Sequence, residues 1–225
     1  MRKYRQGLQI LFSYADESVI VRRQFSSVST SEVGKFSALS KTWWDPKENP
    51  LIGMNGVRVG YIQDQLARPK IPSASSSASL PLSGLKALDV GCGGGLLSES
   101  LARLGAEVTA VDPSQELVEA ARYHSQMDPR TRAIDFRGGS SVEDLAAEQG
   151  SNQYDIICLL EVLEHVTDPD SILSSINILL KPDGKLFLST LNRTTKSKIA
   201  AIWGAEYVMR YLPIGTHDWD QFRSP

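Results

Sequence analysis

Two carboxylates on either side of a glycine-rich turn are the residues whose types and spacing most clearly indicate chemistry. Asp89 ends a short apolar run just before Gly91 and Gly93, and Asp112 ends a second apolar run about twenty residues beyond the turn. An acidic residue at that second position accepts hydrogen bonds from the two hydroxyls of a ribose. The spacing therefore predicts a nucleoside site at the ends of two neighbouring strands.

The turn itself indicates which nucleoside binds. The dinucleotide fingerprint is Gly-x-Gly-x-x-Gly, whereas Leu96 stands at the sixth place here. Asp89 would repel a pyrophosphate but would attract an amino group or a sulfonium. We therefore expect S-adenosylmethionine, with its adenosine at Asp112 and its charged tail over Gly91 and Gly93. The alternatives are a nicotinamide-dependent dehydrogenase and an ordinary strand–helix turn without a ligand.

A second group of reactive side chains follows the most continuous apolar run. Residues 154–160 are typical of a strand buried on both faces of a parallel sheet, and Glu161, Glu164 and His165 come directly after it. Two carboxylates suit magnesium, whereas an imidazole suits zinc or manganese better or serves as a general base. A second interpretation is that the Glu-His pair only supports its loop or the adenosine site.

Alternating strand and helix patterns must position these groups. Predicted strands end near Val90, Asp112, Leu160 and Thr190, and a short strand is predicted over 133–137. Helices are predicted over 96–104, 142–149 and 172–179, with a further helix capped by Ser114 and a turn at 181–184. This pattern predicts an α/β fold with a doubly wound, mostly parallel, Rossmann-like sheet. Ligands of such sheets bind outside the carboxyl ends of the strands, so the candidate residues should converge on one crevice.

The domain plan has four parts: a leader over 1–30, a helical arm over 31–69, a serine-rich linker over 70–82 and the core over 83–225. Ser29 and Glu32 have the spacing of a capping box, which predicts a helix from Ser29 through Trp44, and a second helix is predicted from Asn55 to Arg68. Trp43, Trp44 and Arg58 either close over the cofactor or acceptor as a lid or pack into the core.

The leader is basic and serine-rich with apolar residues between the charges, which is typical of a mitochondrial transit peptide. Residues 23–26 resemble a matrix-protease cleavage site, and a disordered tail is the alternative.

The net charge of -2 gives no reason to expect a nucleic-acid partner. No apolar run approaches about eighteen residues, the length of a membrane-spanning helix. Residues 194–212, with basic ends and aromatic bulk, predict either an interfacial helix or one packed on the core.

Six segments carry a resemblance to a known family. They are 36–45 (FSALSKTWWD), 89–95 (DVGCGGG), 161–166 (EVLEHV), 189–193 (STLNR) and the pair 204–207 (GAEY) and 215–218 (GTHD). Together they resemble the ubiquinone-biosynthesis O-methyltransferases, a group of class I methyltransferases. The resemblance implies methyl transfer from S-adenosylmethionine to a phenolic oxygen of a polyprenylated catechol. It also implies peripheral attachment to the matrix side of the inner mitochondrial membrane and a ubiquinone-synthesis multiprotein complex.

The same resemblance implies cofactor contacts at Arg58, Gly91, Asp112 and Leu160, and divalent-metal ligands, for Mg²⁺ in the first place, at Glu161, Glu164 and His165. The residue pattern itself adds Asp89 and Gly93 as expected cofactor contacts, and His165 and Glu161 as expected catalytic residues. The family continues beyond the position of Pro225 with further strands, so the chain is expected to be truncated. The alternatives are a non-catalytic isoform in a ubiquinone-synthesis complex and a class I methyltransferase with another small-molecule acceptor.

Overall fold

A computed structural model describes residues 27–66 and 80–190. Residues 1–26 of the predicted leader, most of the serine-rich linker and the predicted interfacial helix lie outside the described residues.

Five parallel strands form one sheet, in the order β3-β2-β1-β4-β5. They are β1 (Lys86–Val90), β2 (Glu107–Asp112), β3 (Asp135–Gly138), β4 (Tyr154–Leu160) and β5 (Leu180–Ser189). The order reverses at β1, which pairs with β2 on one side and with β4 on the other. The predicted doubly wound parallel sheet is confirmed, and its switch point lies where the candidate residues cluster.

Helices cover both faces of this sheet. They are α1 (Thr30–Ser37), α2 (Leu51–Leu66), α3 (Leu96–Arg103), α4 (Gln115–Ser125), α5 (Val142–Gln149) and α6 (Pro169–Leu179), with a 3₁₀ turn at Leu163–His165. Leu145 and Ile176 belong to the core on one face, and Ile62 and Leu101 to the core on the other. Each such fully buried side chain contributes roughly 1.5–3 kcal/mol. None of the helices in the described ranges is long and apolar enough to cross a membrane.

The two predicted arm helices have different bounds in the structure. The first ends at Ser37, and residues 38–44 continue as turns. In these turns an N–H donates to the carbonyl three residues earlier, as that of Thr42 does to Leu39. These turns keep an apolar spacing close to that of a helix, which is why the sequence pattern runs on to Trp44. The second helix begins at Leu51 because the side chain of Asn49 accepts its N–H at 3.0 Å.

Two predictions near the strands also need correction. β3 begins at Asp135, because the N–H of Ile134 bonds to the carbonyl of Thr131 and keeps the preceding residues in a turn. The predicted turn over 181–184 lies inside the bounds of β5. Tyr154 pairs with Leu180 and Ile156 with Lys185, so these four residues loop out of the ladder.

Candidate active site

All nine predicted site residues line one cavity of about 260 Å³. They are Arg58, Asp89, Gly91, Gly93, Asp112, Leu160, Glu161, Glu164 and His165. The cavity lies at the carboxyl ends of β1, β2 and β4, where the strand order reverses, and residues of the arm close its other side. The convergence expected from the strand pattern is therefore present.

Asp112 is a buried acceptor in a fixed orientation. One carboxylate oxygen accepts the N–H of Gly93 and the other accepts the N–H of Ser114, each at 2.8 Å. Burial raises the pKa of Asp112, and the two backbone hydrogen bonds oppose that rise. Each carboxylate oxygen has a second lone pair, so the group can still accept bonds from two hydroxyls. This fits a ribose.

The glycine loop uses its own backbone donors internally. The N–H groups of Gly91 and Cys92 both donate to the carbonyl of Val111, at 2.9 and 3.2 Å, and that of Gly93 donates to Asp112. A phosphate-binding loop instead leaves successive N–H groups free to surround the anion. The loop therefore does not offer the site that a pyrophosphate needs.

Asp89 places negative charge beneath the cavity. Its side chain is 3 % exposed and accepts the hydroxyl of Ser98 at 2.6 Å. Burial, with a contribution from the charge of Asp112, raises the pKa of Asp89 to about 6, while the Ser98 hydrogen bond opposes the rise. A cationic group in the cavity would favour the ionised carboxylate and relieve this cost.

Arg58 of α2 presents a buried donor that has no hydrogen-bond partner. Its Nη2 lies 3.7 Å from a carboxylate oxygen of Glu161, an ion pair without a hydrogen bond. Among the described residues, the buried side-chain atoms without a hydrogen-bond partner belong to Trp43, Asn55, Arg58 and Glu143, all of which line this cavity. Native proteins seldom leave such groups unpaired, so their clustering indicates a polar ligand. The guanidinium of Arg58 is suited to bind a carboxylate group of such a ligand.

The arm approaches the glycine loop directly. A Cβ atom at Gly93 or Gly94 would overlap the indole ring of Trp43, and Gly93 also has a φ of +53°. The indole nitrogen of Trp44 donates to the carbonyl of Gly94 at 3.0 Å. These two glycines therefore accommodate the arm, which the sequence interpretation had not foreseen, and Trp43 forms a wall of the cavity.

Glu161 has an unusual backbone held by two hydrogen bonds. It is a non-glycine residue with φ +59° at the end of β4. Its N–H donates to the carbonyl of Ser189 at 2.9 Å, and its carboxylate accepts the hydroxyl of Ser189 at 2.6 Å. Left-handed non-glycine residues are enriched at functional sites.

Glu164 and His165 each have a partner on a different element. Glu164 is 3 % exposed and accepts the hydroxyl of Thr190 at 2.8 Å. The Nδ1 atom of His165 lies 2.9 Å from a carboxylate oxygen of Glu32, in α1. The ring of Phe36 packs edge to face against the imidazole of His165, with ring centroids 4.9 Å apart. The arm thus fixes the orientation of His165.

The metal site expected at Glu161, Glu164 and His165 is not supported by this arrangement. Within residues 27–66 and 80–190, no group of three or more His, Cys, Asp or Glu side chains could hold a metal ion. The three side chains bond to partners on β5, after β5 and on α1. As placed, the three side chains do not converge on one shared cation.

Glu32 is a cavity residue that the sequence interpretation missed. Its spacing from Ser29 predicted a capping box, and its N–H does approach the Ser29 hydroxyl at 3.5 Å. Its carboxylate instead contacts His165 and the ammonium of Lys35. Because Glu32 and His165 are 133 positions apart, no local pattern could have paired them.

Comparison with solved structures supports the fold. The plantazolicin methyltransferase BamL is 17% identical with a TM-score of 0.54, covering 86% of this chain and 62% of that one. A SAM-dependent methyltransferase from Aquifex aeolicus is 17% identical with a TM-score of 0.53, covering 70% of this chain and 74% of that one. At this identity the likeness concerns the fold alone.

Sequence comparison is more specific. Residues 61–221 match the family described as "Methyltransferase domain". A protein of Cereibacter sphaeroides named ubiquinone biosynthesis O-methyltransferase is 46% identical over 202 residues, which is 89% of this chain and 79% of the relative. One of the same name from Xanthomonas oryzae pv. oryzae is 49% identical over 197 residues, 87% of this chain and 75% of the relative. With this identity over most of its length, the chain belongs to the ubiquinone biosynthesis O-methyltransferases and is an S-adenosylmethionine-dependent methyltransferase.

Proposed function

We propose that the chain transfers the methyl group of S-adenosylmethionine to a phenolic oxygen of a polyprenylated catechol in ubiquinone biosynthesis. The observation that carries this proposal is the cavity in which Arg58, Asp89 and Asp112 meet, with the buried Nη2 of Arg58 lacking a hydrogen-bond partner. The names of the bacterial relatives support the pathway. The resemblance of the sequence motifs supports the class of acceptor.

In this proposal the cofactor is held by complementary groups. Arg58 binds its carboxylate, Asp89 attracts its cationic end and Asp112 accepts the ribose hydroxyls. Gly91 and Gly93 let the cofactor approach the loop backbone, and Leu160 supplies an apolar contact. The internal hydrogen bonds of the loop favour this ligand over a pyrophosphate-bearing dinucleotide.

The acceptor needs to lose a proton. A free phenol has a pKa of about 10, so little of it is nucleophilic near neutral pH. Bound S-adenosylmethionine supplies a methyl group on a positively charged sulfur, which keeps the electrons of the bond that breaks. His165, oriented through Nδ1 by Glu32, receives the phenolic proton, and Glu161 orients the catechol.

An acceptor series tests this assignment. Transfer of a labelled methyl group is measured with a short-tailed prenyl catechol, with the same catechol bearing both oxygens already methylated, and with unprenylated catechol. The proposal predicts transfer to the prenyl catechol, none to the doubly capped control and a higher KM without the prenyl tail. Equal efficiency with and without the tail would favour another small-molecule acceptor.

The divalent metal implied by the resemblance is tested separately. A cation bound by Glu161, Glu164 and His165 would require these side chains to move together, since no group of three or more such side chains within residues 27–66 and 80–190 is placed to hold a metal ion. Turnover is compared in magnesium and in a chelator. Turnover that is lost on chelation and restored by magnesium would support Glu161, Glu164 and His165 as metal ligands. Turnover that survives chelation would contradict a metal requirement and would leave His165 as the general base and Glu161 as the group that orients the catechol.

The site of action is also a proposal: the matrix side of the inner mitochondrial membrane, within a ubiquinone-synthesis complex. The basic, serine-rich composition of residues 1–30 supports import, and the aromatic and basic residues over 194–212 support membrane attachment. Replacing Trp203 and Tyr211 with alanine is expected to lower sedimentation with liposomes. Unchanged sedimentation would contradict the attachment.

A further inference from the structure

Side chains outside the cavity fix the tryptophan pair of the arm. The ring of Trp44 stacks on the imidazole of His124, with centroids 3.4 Å apart and an angle of 7° between the planes. On its other edge, the Trp44 indole nitrogen donates to the carbonyl of Gly94. Trp43, the preceding residue, covers Gly93 and Gly94 and lines the cavity, whereas His124 does not line it.

The orientation of His124 is set in turn by a buried carboxylate. The Nδ1 atom of His124 lies 2.7 Å from one oxygen of Glu99, whose side chain has 0% exposure. The other oxygen of Glu99 accepts a bond from Arg103 at 2.6 Å, and Arg103 also bonds to Asp128 at 2.9 Å. A carboxylate removed from water needs such partners. The bond from His124 to Glu99 also sets the plane of the imidazole that stacks on Trp44.

We propose that His124 is a positioning residue that determines the affinity for S-adenosylmethionine through the tryptophan pair. The stack holds Trp44, and Trp44 holds Trp43 as the wall against which the cofactor is bound. Loss of the stack releases this wall, so the cofactor dissociates faster. The inference rests on the cofactor occupying the cavity proposed above.

Two interactions of His124 separate this role from a purely structural one. Its bond to Glu99 joins α4 to α3, both within the body of the domain. Its stack on Trp44 joins that body to the arm. If His124 has only a structural role, the affinity for S-adenosylmethionine and the stability of the fold should change together in every variant. If His124 positions the tryptophan pair, loss of the stack on Trp44 should lower the affinity, whereas loss of the bond to Glu99 should lower the stability.

Three variants make the separation. H124Q keeps a side-chain donor for Glu99 but removes the stack, H124F keeps the stack but removes the donor, and Y123Q changes the adjacent residue, which is 78% exposed. We expect H124Q to raise the Kd for S-adenosylmethionine about threefold to tenfold with little change in Tm. H124F should keep Kd within about twofold and lower Tm. Y123Q should change neither, and kcat at saturating cofactor should stay near wild type in all three.

An unchanged or lower Kd in H124Q would overturn the inference, as would Kd values that follow Tm in both variants. Should H124F fail to fold, W44L removes the same stack from the arm side, together with the bond to the carbonyl of Gly94, and must raise Kd at least as much as H124Q does; an unchanged Kd would again overturn the inference. R58M is measured in parallel. If R58M also leaves Kd unchanged, the proposed cofactor position has failed; if R58M alone weakens binding, only the role of His124 has failed.

Discussion

Two carboxylates are buried close together beneath the cavity, an arrangement that a ligand-free core would avoid. Asp89 and Asp112 are 3 % and 7 % exposed, and the charge of Asp112 adds to the burial that raises the pKa of Asp89. Ionised buried groups of like charge destabilise a fold unless something offsets them. The cationic end of the cofactor is the partner that this account assigns to them.

Removing the charge of Asp89 should therefore stabilise the fold and weaken cofactor binding. Its pKa rises from the ordinary 3.8 to about 6 in the folded protein, which corresponds to about 3 kcal/mol of stability lost as pH rises through that interval. Asp89→Asn, which still accepts the Ser98 hydroxyl, avoids this loss. Urea unfolding should show the variant equal to wild type below about pH 4 and more stable by about 1–3 kcal/mol above pH 6.

The same substitution should raise the Kd for S-adenosylmethionine about tenfold at neutral pH, since a charge-assisted contact is lost. In wild type, affinity should increase as pH rises through about 6 and Asp89 ionises. A variant that binds the cofactor normally and shows no stability gain above pH 6 would contradict the placement of Asp89.

Two glycines, one in the loop and one on α2, differ in the space around them, and this gives a matched pair of substitutions. Gly93→Ala forces a Cβ into the ring of Trp43 at a positive φ, so we expect a loss of about 2–4 kcal/mol in stability and weaker cofactor binding. Gly56→Ala lies on α2 with nothing within 4 Å of the added Cβ. It should stabilise the helix by about 0.5–1 kcal/mol, measured by thermal unfolding. Equal effects would refute the close approach of Trp43.

At the scale of elements, the arm and the residues just before it are held against the core by backbone and side-chain polar contacts. Val28 forms an antiparallel bridge with Val166, and the hydroxyl of Ser27 donates to Glu143 at 2.6 Å. On α2, the amide of Asn55 donates to the hydroxyl of Ser100 at 2.8 Å, near the end of the glycine loop. The arm and the loop therefore form one wall of the site.

Weakening the attachment of α2 to the core should lower the affinity for the cofactor, because Arg58 lies on α2 one helical turn beyond Asn55. Asn55→Ala removes the bond to Ser100 and should cost about 1–2 kcal/mol. We expect a higher KM for S-adenosylmethionine with kcat little changed, and faster amide exchange in α2. Met54→Ala, at an exposed neighbouring position, is the control and should lie within about 0.5 kcal/mol of wild type. Identical kinetics for both variants would contradict the coupling.

The strands and helices of the core were largely predictable, whereas the contacts of the arm were not. The apolar run over 154–160, the Ser114 cap and the helix over 142–149 carry local signals, and the structure has each of them. The pairing of Glu32 with His165 and the stacking of Trp44 on His124 join residues far apart in sequence. Hydrophobic periodicity contains no information about such contacts.

At the scale of the whole molecule, the parallel sheet places the ends of β1, β2 and β4 around one cavity, and the ligand bound there should stabilise the fold. At a concentration of about 100 times Kd, S-adenosylmethionine should add about 2.7 kcal/mol to the free energy of unfolding. NAD should add nothing measurable, because the loop leaves no free N–H groups of Gly91, Cys92 and Gly93 for its pyrophosphate. Stabilisation by NAD alone would favour a dehydrogenase.

The most direct measurement is a single-turnover reaction with S-adenosylmethionine carrying a ¹³C methyl group and a short-tailed prenyl catechol, followed by NMR of the product. The account predicts that the label appears on a phenolic oxygen. It further predicts that Arg58→Met needs about tenfold more cofactor to reach the same rate. Label found on a carbon, or transfer by Arg58→Met with unchanged cofactor dependence, would contradict the assignment of this cavity as the site of O-methylation.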